Sequence, residues 1–201
     1  MTTPANPHIR LAVLAAAILV ALAAALFLAL TLTQRRETSG KARIGAPFTL
    51  TDVNGARFES ARLAGRPHAI FFGYTHCPDV CPTALLDLTQ AIKTLGPAAE
   101  RLAIVFISVD PPRDTPEAMK AYVETVNPAI IGLTGSEAEI AAVAKSFRVL
   151  YHAGPSDGGA YAVDHSAFIY LYDRSGEFVS VLASGDPQET MLTRLSEVLA
   201  R

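Results

Sequence analysis

HAIFFGYTHCPDVCPTALLDLTQAIKTL, residues 68–95, changes character twice within 28 residues. The run 68–74 is almost wholly apolar and of strand length, the pattern of a strand buried on both faces. From Pro82 onward the apolar residues fall at Leu85, Leu88, Ile92 and Leu95, which is helical spacing. Between the two patterns stand Cys77 and Cys81, the only cysteines of the 201-residue chain, each followed by a proline. The spacing therefore predicts a dithiol where a buried strand ends and its helix begins.

Outward from this junction the strand–helix alternation repeats. A second buried strand is predicted over 103–109, followed by a helix opening at Thr115-Pro116-Glu117, with threonine as cap and proline in the first turn. Ile130–Leu133 and a helix from Ser136 to Phe147 continue the series, with Met119 and Met191 falling at core positions of their helices. Upstream, 48–60 alternates apolar and polar residues around Asn54-Gly55, a hairpin signal. Downstream, 167–173 and 177–183 flank an Arg-Ser-Gly turn, and a last helix is predicted from Asp186, read as its N-cap. Strand–helix–strand units closed by a hairpin and a helix describe an α/β fold, a central sheet flanked by helices on both faces. A cysteine pair at a strand-to-helix junction of such a sheet has the placement of a thioredoxin-like active site.

The first 43 residues belong to a different class. Residues 11–32 carry no charge, and only Thr31 interrupts an Ala/Leu/Val/Ile/Phe run. At about 1.5 Å rise per residue this length crosses a hydrocarbon core roughly 30 Å thick. A cleaved signal peptide has a shorter apolar core of about 7–15 residues before its cleavage site, so an uncleaved anchor is the expectation. No cysteine follows the run to carry a lipid. The expected organisation is an N-terminal tail over 1–10, a transmembrane anchor over 11–32, a tether over 33–46 and one globular domain over 47–201. Arg10 precedes the span, while Arg35, Arg36, Lys41 and Arg43 follow it, so the positive-inside rule alone would leave the domain in the cytoplasm. The short tail, carrying its own amino charge, instead resembles a signal anchor. Of the 17 basic and 19 acidic residues, five and one fall within residues 1–43. The remainder is 12 basic against 18 acidic, and a net charge of −6 argues against nucleic acid as a partner.

At a helix N-terminus the unpaired N–H groups and the helix dipole favour a thiolate. A dithiol there can cycle to a disulfide or hold a soft metal. A plain stapling disulfide closing so small a loop would stabilise little, and a structural zinc site normally wants four ligands. Two thiolates suit Cu(I), and an imidazole would make the site acceptable to both copper oxidation states. Of the five histidines, His8 precedes the apolar run and His68 starts the buried strand. His76 adjoins Cys77 but points to the other side of an extended segment, and His152 lies in no supporting pattern. His165 stands just before the strand expected beside the cysteine-bearing one, in a loop that faces the cysteines in a thioredoxin architecture. On pattern alone a lone histidine of this kind is more often structural than a ligand.

GYTHCPDVCP (73–82), SVDPPRDTPEAMKAYV (108–123), GLTG (132–135) and VDHSAFIYLYD (163–173), in this order and spacing, resemble the SCO/SenC family of copper-binding proteins over roughly residues 44–200. The resemblance implies a thioredoxin-like domain on one N-terminal transmembrane helix, single-pass, facing the periplasm or, in mitochondria, the intermembrane space. It implies one copper ion, Cu(I) or Cu(II), bound by Cys77, Cys81 and His165. The implied role is that of a metallochaperone assisting assembly of the binuclear CuA site of cytochrome c oxidase. The implied partners are the CuA-bearing oxidase subunit and other copper chaperones. Asp164 would then orient or tune the imidazole, or serve only as a turn residue. Asp110 would be a family acid near the cysteines, or ordinary Asp-Pro-Pro loop chemistry. The alternative, from the enzyme class, is a thiol-disulfide oxidoreductase with Cys77 attacking and Cys81 resolving, its clients including the CuA-site cysteines themselves. A peroxidase would want one strongly activated cysteine in a peroxide pocket, of which the sequence carries no sign.

Overall fold

The computed structural model describes residues 44–155 and 161–201, together with residue 16 and a helical stretch at 20–25. The tail, most of the anchor and most of the tether expected from the sequence lie outside the described residues. Among the described residues no helix is long and apolar enough to cross a membrane. The chain divides into Met1–Arg43 and a compact unit, Ile44–Arg201. That unit takes in the last residues of the expected tether: the Tyr172 hydroxyl donates to the Ile44 carbonyl at 2.8 Å, and the Gly45 N–H to the Ser146 carbonyl at 2.8 Å.

The unit opens with a hairpin, β1 (Thr49–Asp52) and β2 (Arg57–Glu59), turning at Asn54-Gly55 as the dipeptide predicts. Gly55 takes φ 77°, the left-handed conformation such a turn needs. Then follow β3 (His68–Gly73), α1 (Val80–Leu95), β4 (Ala103–Ser108), α2 (Pro116–Val126), β5 (Ile131–Thr134) and α3 (Glu137–Ser146). A two-stranded ribbon comes next, β6 (Tyr151–Ala153) with β7 (Val163–His165), and the chain ends with β8 (Phe168–Tyr172), β9 (Phe178–Ala183) and α4 (Gln188–Leu199). The main sheet runs β2-β1-β5-β4-β3-β8-β9. Its centre, β3, β4 and β5, is parallel, and β1 and β8 join it antiparallel. This is the mixed α/β sheet of a thioredoxin-like fold.

All six residues of β3 and all six of β4 are buried. Successive strand residues point to opposite faces, so complete burial requires cover on both. The core gathers Phe71, Phe72, Phe106, Ile107, Leu85 and Leu88, all fully buried, and Met119 and Met191 lie within it as their spacing predicts. His68 is buried; its ring stacks on Tyr172 at 4.9 Å and Nδ1 lies 2.9 Å from the Arg66 carbonyl.

Helix starts follow local chemistry. The Thr115 hydroxyl accepts from the Ala118 N–H, with Pro116 at the first position of α2. Ser136 and Glu139 exchange side chain-to-backbone bonds in a capping box that opens α3. Two sequence expectations shift. Asp186 does not cap α4, which starts at Gln188 after Pro187; its carboxylate instead accepts the Ala183 N–H at 2.8 Å and closes the turn leaving β9. Helix α1 begins two residues before Pro82, at Val80, so Cys81 lies in its first turn while Cys77 stays in the preceding loop.

Candidate metal centre

The parallel centre of the sheet delivers the cysteines to the C-terminal edge of β3, and the β6–β7 ribbon brings His165 to the same place from 84 residues beyond Cys81. Cys81 is fully buried as the second residue of α1. Cys77 is half-buried, and both thiols are free. The Cys81 N–H, one of the first-turn donors without an intrahelical partner, points at the Cys77 sulfur at 3.4 Å. His165 closes the triangle, its Nε2 3.4 Å from Cys81 Sγ. The three ligand atoms all lie within 4.8 Å of one another.

The imidazole is held in one orientation. Nδ1 lies 3.3 Å from the Ser166 carbonyl; with the proton there as donor, the Nε2 lone pair faces the Cys81 sulfur. Tyr74 and Phe71 meet the ring edge-on at 5.9 and 6.2 Å. Burial lowers the His165 pKa below its ordinary value, outweighing the opposing hydrogen bond to the Ser166 carbonyl and the charge of Asp164. The neutral, ligating form is thereby favoured at pH 7. Burial pushes the Cys81 thiol up strongly, a bond from the Tyr74 N–H pulls the other way, and Cys77 and Asp114 add to the rise. Unassisted, Cys81 holds its proton; a soft cation beside it would replace that proton. Two sulfurs and an imidazole in this arrangement fit a copper ion by donor type and number.

The remaining candidates stand elsewhere. Asp164 is exposed on β7, paired in register with His152 on β6, and alternation along the strand sends it to the face opposite His165. The Ser166 carbonyl, not Asp164, is the hydrogen-bond partner of the ring. Asp110 is buried, but its carboxylate is taken by the Tyr161 hydroxyl at 2.5 Å and by Arg113 Nε. Arg113 in turn lies 3.6 Å over the Tyr161 ring and donates to the Tyr161 carbonyl at 2.9 Å. His76 is exposed and turned toward Thr75 and Asp114, not toward the sulfurs.

The residue sequence reasoning missed is Asp114. It is fully buried, and its carboxylate accepts from the Thr75 N–H at 3.0 Å, the Thr75 hydroxyl at 2.6 Å and the Ser108 hydroxyl at 2.5 Å. Asp114 thereby fastens the segment that carries Cys77. His76, Asp110 and Asp114 also lie within ligand distance of one another, but every carboxylate oxygen there already accepts a hydrogen bond, so the cluster reads as a scaffold for the cysteine loop. Asp114→Ala would orphan Thr75 and Ser108 donors at a cost of about 1–3 kcal/mol each. The expected result is a lower denaturant midpoint with an unchanged slope, measured on metal-free protein; an unchanged midpoint would remove Asp114 from this role.

A model of the SCO1/SenC family matches residues 36–200. The mitochondrial SCO2 protein of Saccharomyces cerevisiae is 40% identical over 162 residues, 79% of this chain and 54% of that protein, so the chain spans about half the length of this relative. The copper-bound structure of Bradyrhizobium japonicum ScoI superposes with a TM-score of 0.70 at 46% identity, covering 77% of this chain and 99% of that one. BsSco, described as a member of the Sco family of cytochrome c oxidase assembly proteins and as carrying a disulfide switch, matches with a TM-score of 0.61 at 25% identity over 78% of this chain and 94% of its own.

Proposed function

The chain belongs to the SCO1/SenC family, and from that premise we propose that it is a membrane-anchored copper metallochaperone that assists assembly of the CuA site of cytochrome c oxidase. Cys77, Cys81 and His165 hold one copper ion as cargo. The observation that carries the reading is the convergence of two sulfurs and an imidazole nitrogen within 4.8 Å from positions 77, 81 and 165. Redox cycling needs only the sulfurs; the histidine has no part in it. The copper-bound relative supports the choice of metal. One thiol lies half-exposed and the other at the base of the site, so the ion sits near the surface, where a client's thiolates can reach it and take it over one ligand at a time. The client is the CuA-bearing oxidase subunit. Residues 11–32 are the anchor, the tether runs from residue 33 to the compact unit that begins at Ile44, and the domain faces the periplasm or intermembrane space.

Copper titration of the reduced full chain in detergent tests the reading, with one equivalent bound tightly at pH 7 as the expected result. The bound form needs deprotonated sulfurs, so affinity falls with pH by about tenfold per unit for each proton released. A flat profile, or no stoichiometric binding, would refute the assignment. Topology has its own check, alkaline phosphatase fused after Arg201 in a bacterial host. Active enzyme is expected; a silent fusion puts the domain in the cytoplasm.

A second reading rests on the asymmetry of the pair. Cys77 is half-buried and accepts an N–H bond, as an attacking thiolate would, while Cys81 is buried directly behind it. Cys77 would attack a client disulfide, releasing one client thiolate and forming a mixed disulfide. Cys81 would then attack the Cys77 sulfur, releasing the second thiolate and leaving Cys77–Cys81 oxidised. Two electrons pass to the client. The disulfide switch of the relative BsSco favours keeping this chemistry beside copper binding.

A further inference from the structure

Gly73 is the last residue of β3. Its backbone lies outside the positive-φ region in which five of the unit's other glycines after residue 50 are found, so nothing in its conformation calls for glycine. Space does. A Cβ placed on Gly73 would stand 2.7 Å from Cys81 Sγ and 2.8 Å from Phe106 Cε2. Neither the backbone nor the ring can give way. The Gly73 carbonyl accepts the Val109 N–H at 2.8 Å, and the residue pairs with Ser108 on β4. Phe106 is fully buried, its ring stacked on Phe71 at 6.1 Å and tilted against Tyr122 at 5.3 Å. Of the two atoms met, the movable one is the sulfur, which swings about a single torsion.

We infer that Gly73 is a positioning residue of the metal centre: the missing side chain is the seat in which the Cys81 sulfur rests, and it sets where that sulfur stands relative to His165. A methyl group in the seat would turn Cys81 Sγ away from its place 3.4 Å from the imidazole and out of its buried position. Ligand geometry fails when a donor moves by that much, even with all three ligands still present. The consequence for copper rests on the function proposed above; the seat itself does not.

The test compares Gly73→Ala with Gly132→Ala. Gly132, on β5, makes a matched control because its Cβ would intrude as closely, 2.8 Å from Val53 Cγ1 and 3.1 Å from Val123 Cγ1, while touching no cysteine. In a Cys77→Ser background Cys81 is the sole thiol, and its rate with an aromatic disulfide reagent reports its exposure. Gly73→Ala is expected to raise that rate about tenfold or more, since burial is what protects the sulfur. With both cysteines present it is expected to lower copper affinity by at least the roughly 10–100-fold typical of disturbed ligand support. Gly132→Ala should shift neither beyond its effect on folding, followed by thermal melting. If Gly73→Ala proves too unstable, a Phe106→Leu background removes one of its two collisions and leaves the sulfur displaced. Equal behaviour of the two alanine variants in both assays overturns the inference. A faster Cys81 in a protein whose parent binds no copper would uphold the seat and reject the copper reading.

Discussion

Replacing Cys81 with serine is expected to abolish tight copper binding, and Cys77→Ser to do the same, each with a loss well beyond 100-fold. The scale follows from comparison: partners that merely orient a ligand cost about 10–100-fold when removed, and these substitutions take away a soft donor itself. Serine offers an oxygen that suits Cu(I) poorly, and one sulfur with one imidazole leaves the cargo two ligands. The two variants should differ in stability. Cys81 is fully buried in the core cluster, and a hydroxyl on its shorter C–O bond is set back from the Tyr74 N–H and the His165 Nε2 that meet the sulfur, so the exchange costs about 1–3 kcal/mol. Cys77 is half-buried in a loop, where the same exchange should be nearly neutral. Calorimetric titration with Cu(I) under anaerobic conditions, run beside thermal melting of the metal-free proteins, measures both. Retention of wild-type affinity by either variant would mean that copper is held without that sulfur, and the centre as described would be wrong.

The asymmetry between the cysteines was not legible in the sequence. Their spacing placed both at the junction of strand and helix, with nothing local to say which of the two lies inside the helix. Here α1 starts at Val80, and Cys77 remains in the loop. What the sequence did carry was the frame. The almost wholly apolar runs at 68–74 and 103–109 have the length and pattern of strands covered on both faces, and the caps at Thr115 and Ser136 mark helix starts through side chains three residues from their partners. Such signals are local. The features that escaped are those whose partners lie far away in the chain. Asp114 reads as the residue before a helix cap, and its role appears only when Thr75, 39 residues earlier, closes on it. The β6–β7 ribbon is built of three-residue strands, too short for any alternation to show, and is defined by pairs such as Tyr151 with His165. That ribbon fixes the position of His165, so on its own pattern the histidine looked structural; only the resemblance carried by the DHS motif marked it as a ligand.

His165→Ala separates the two functional readings. The imidazole is the donor that redox chemistry does not use, and its loss should weaken copper binding by about 10–100-fold, less than the loss of a sulfur. The Cu(II) form should suffer more than the Cu(I) form, because two thiolates alone satisfy the soft ion while the imidazole makes the site acceptable to the harder one. The thiolate-to-Cu(II) absorption of the wild type should accordingly shift or vanish. Dithiol oxidation is expected to change little, since Cys77 keeps its bond from the Cys81 N–H and Cys81 keeps its buried place on α1. The fold should hold as well. The ring meets Tyr74 and Phe71 only edge-on, and β7 pairs with β6 through backbone bonds that alanine preserves. Parallel copper titrations and visible spectra of wild type and variant, with the rate of disulfide formation measured on the same preparations, decide the matter. A variant that binds copper as tightly as the wild type while losing its oxidation rate would reverse the order of the two readings and make His165 a partner of the dithiol rather than of the metal.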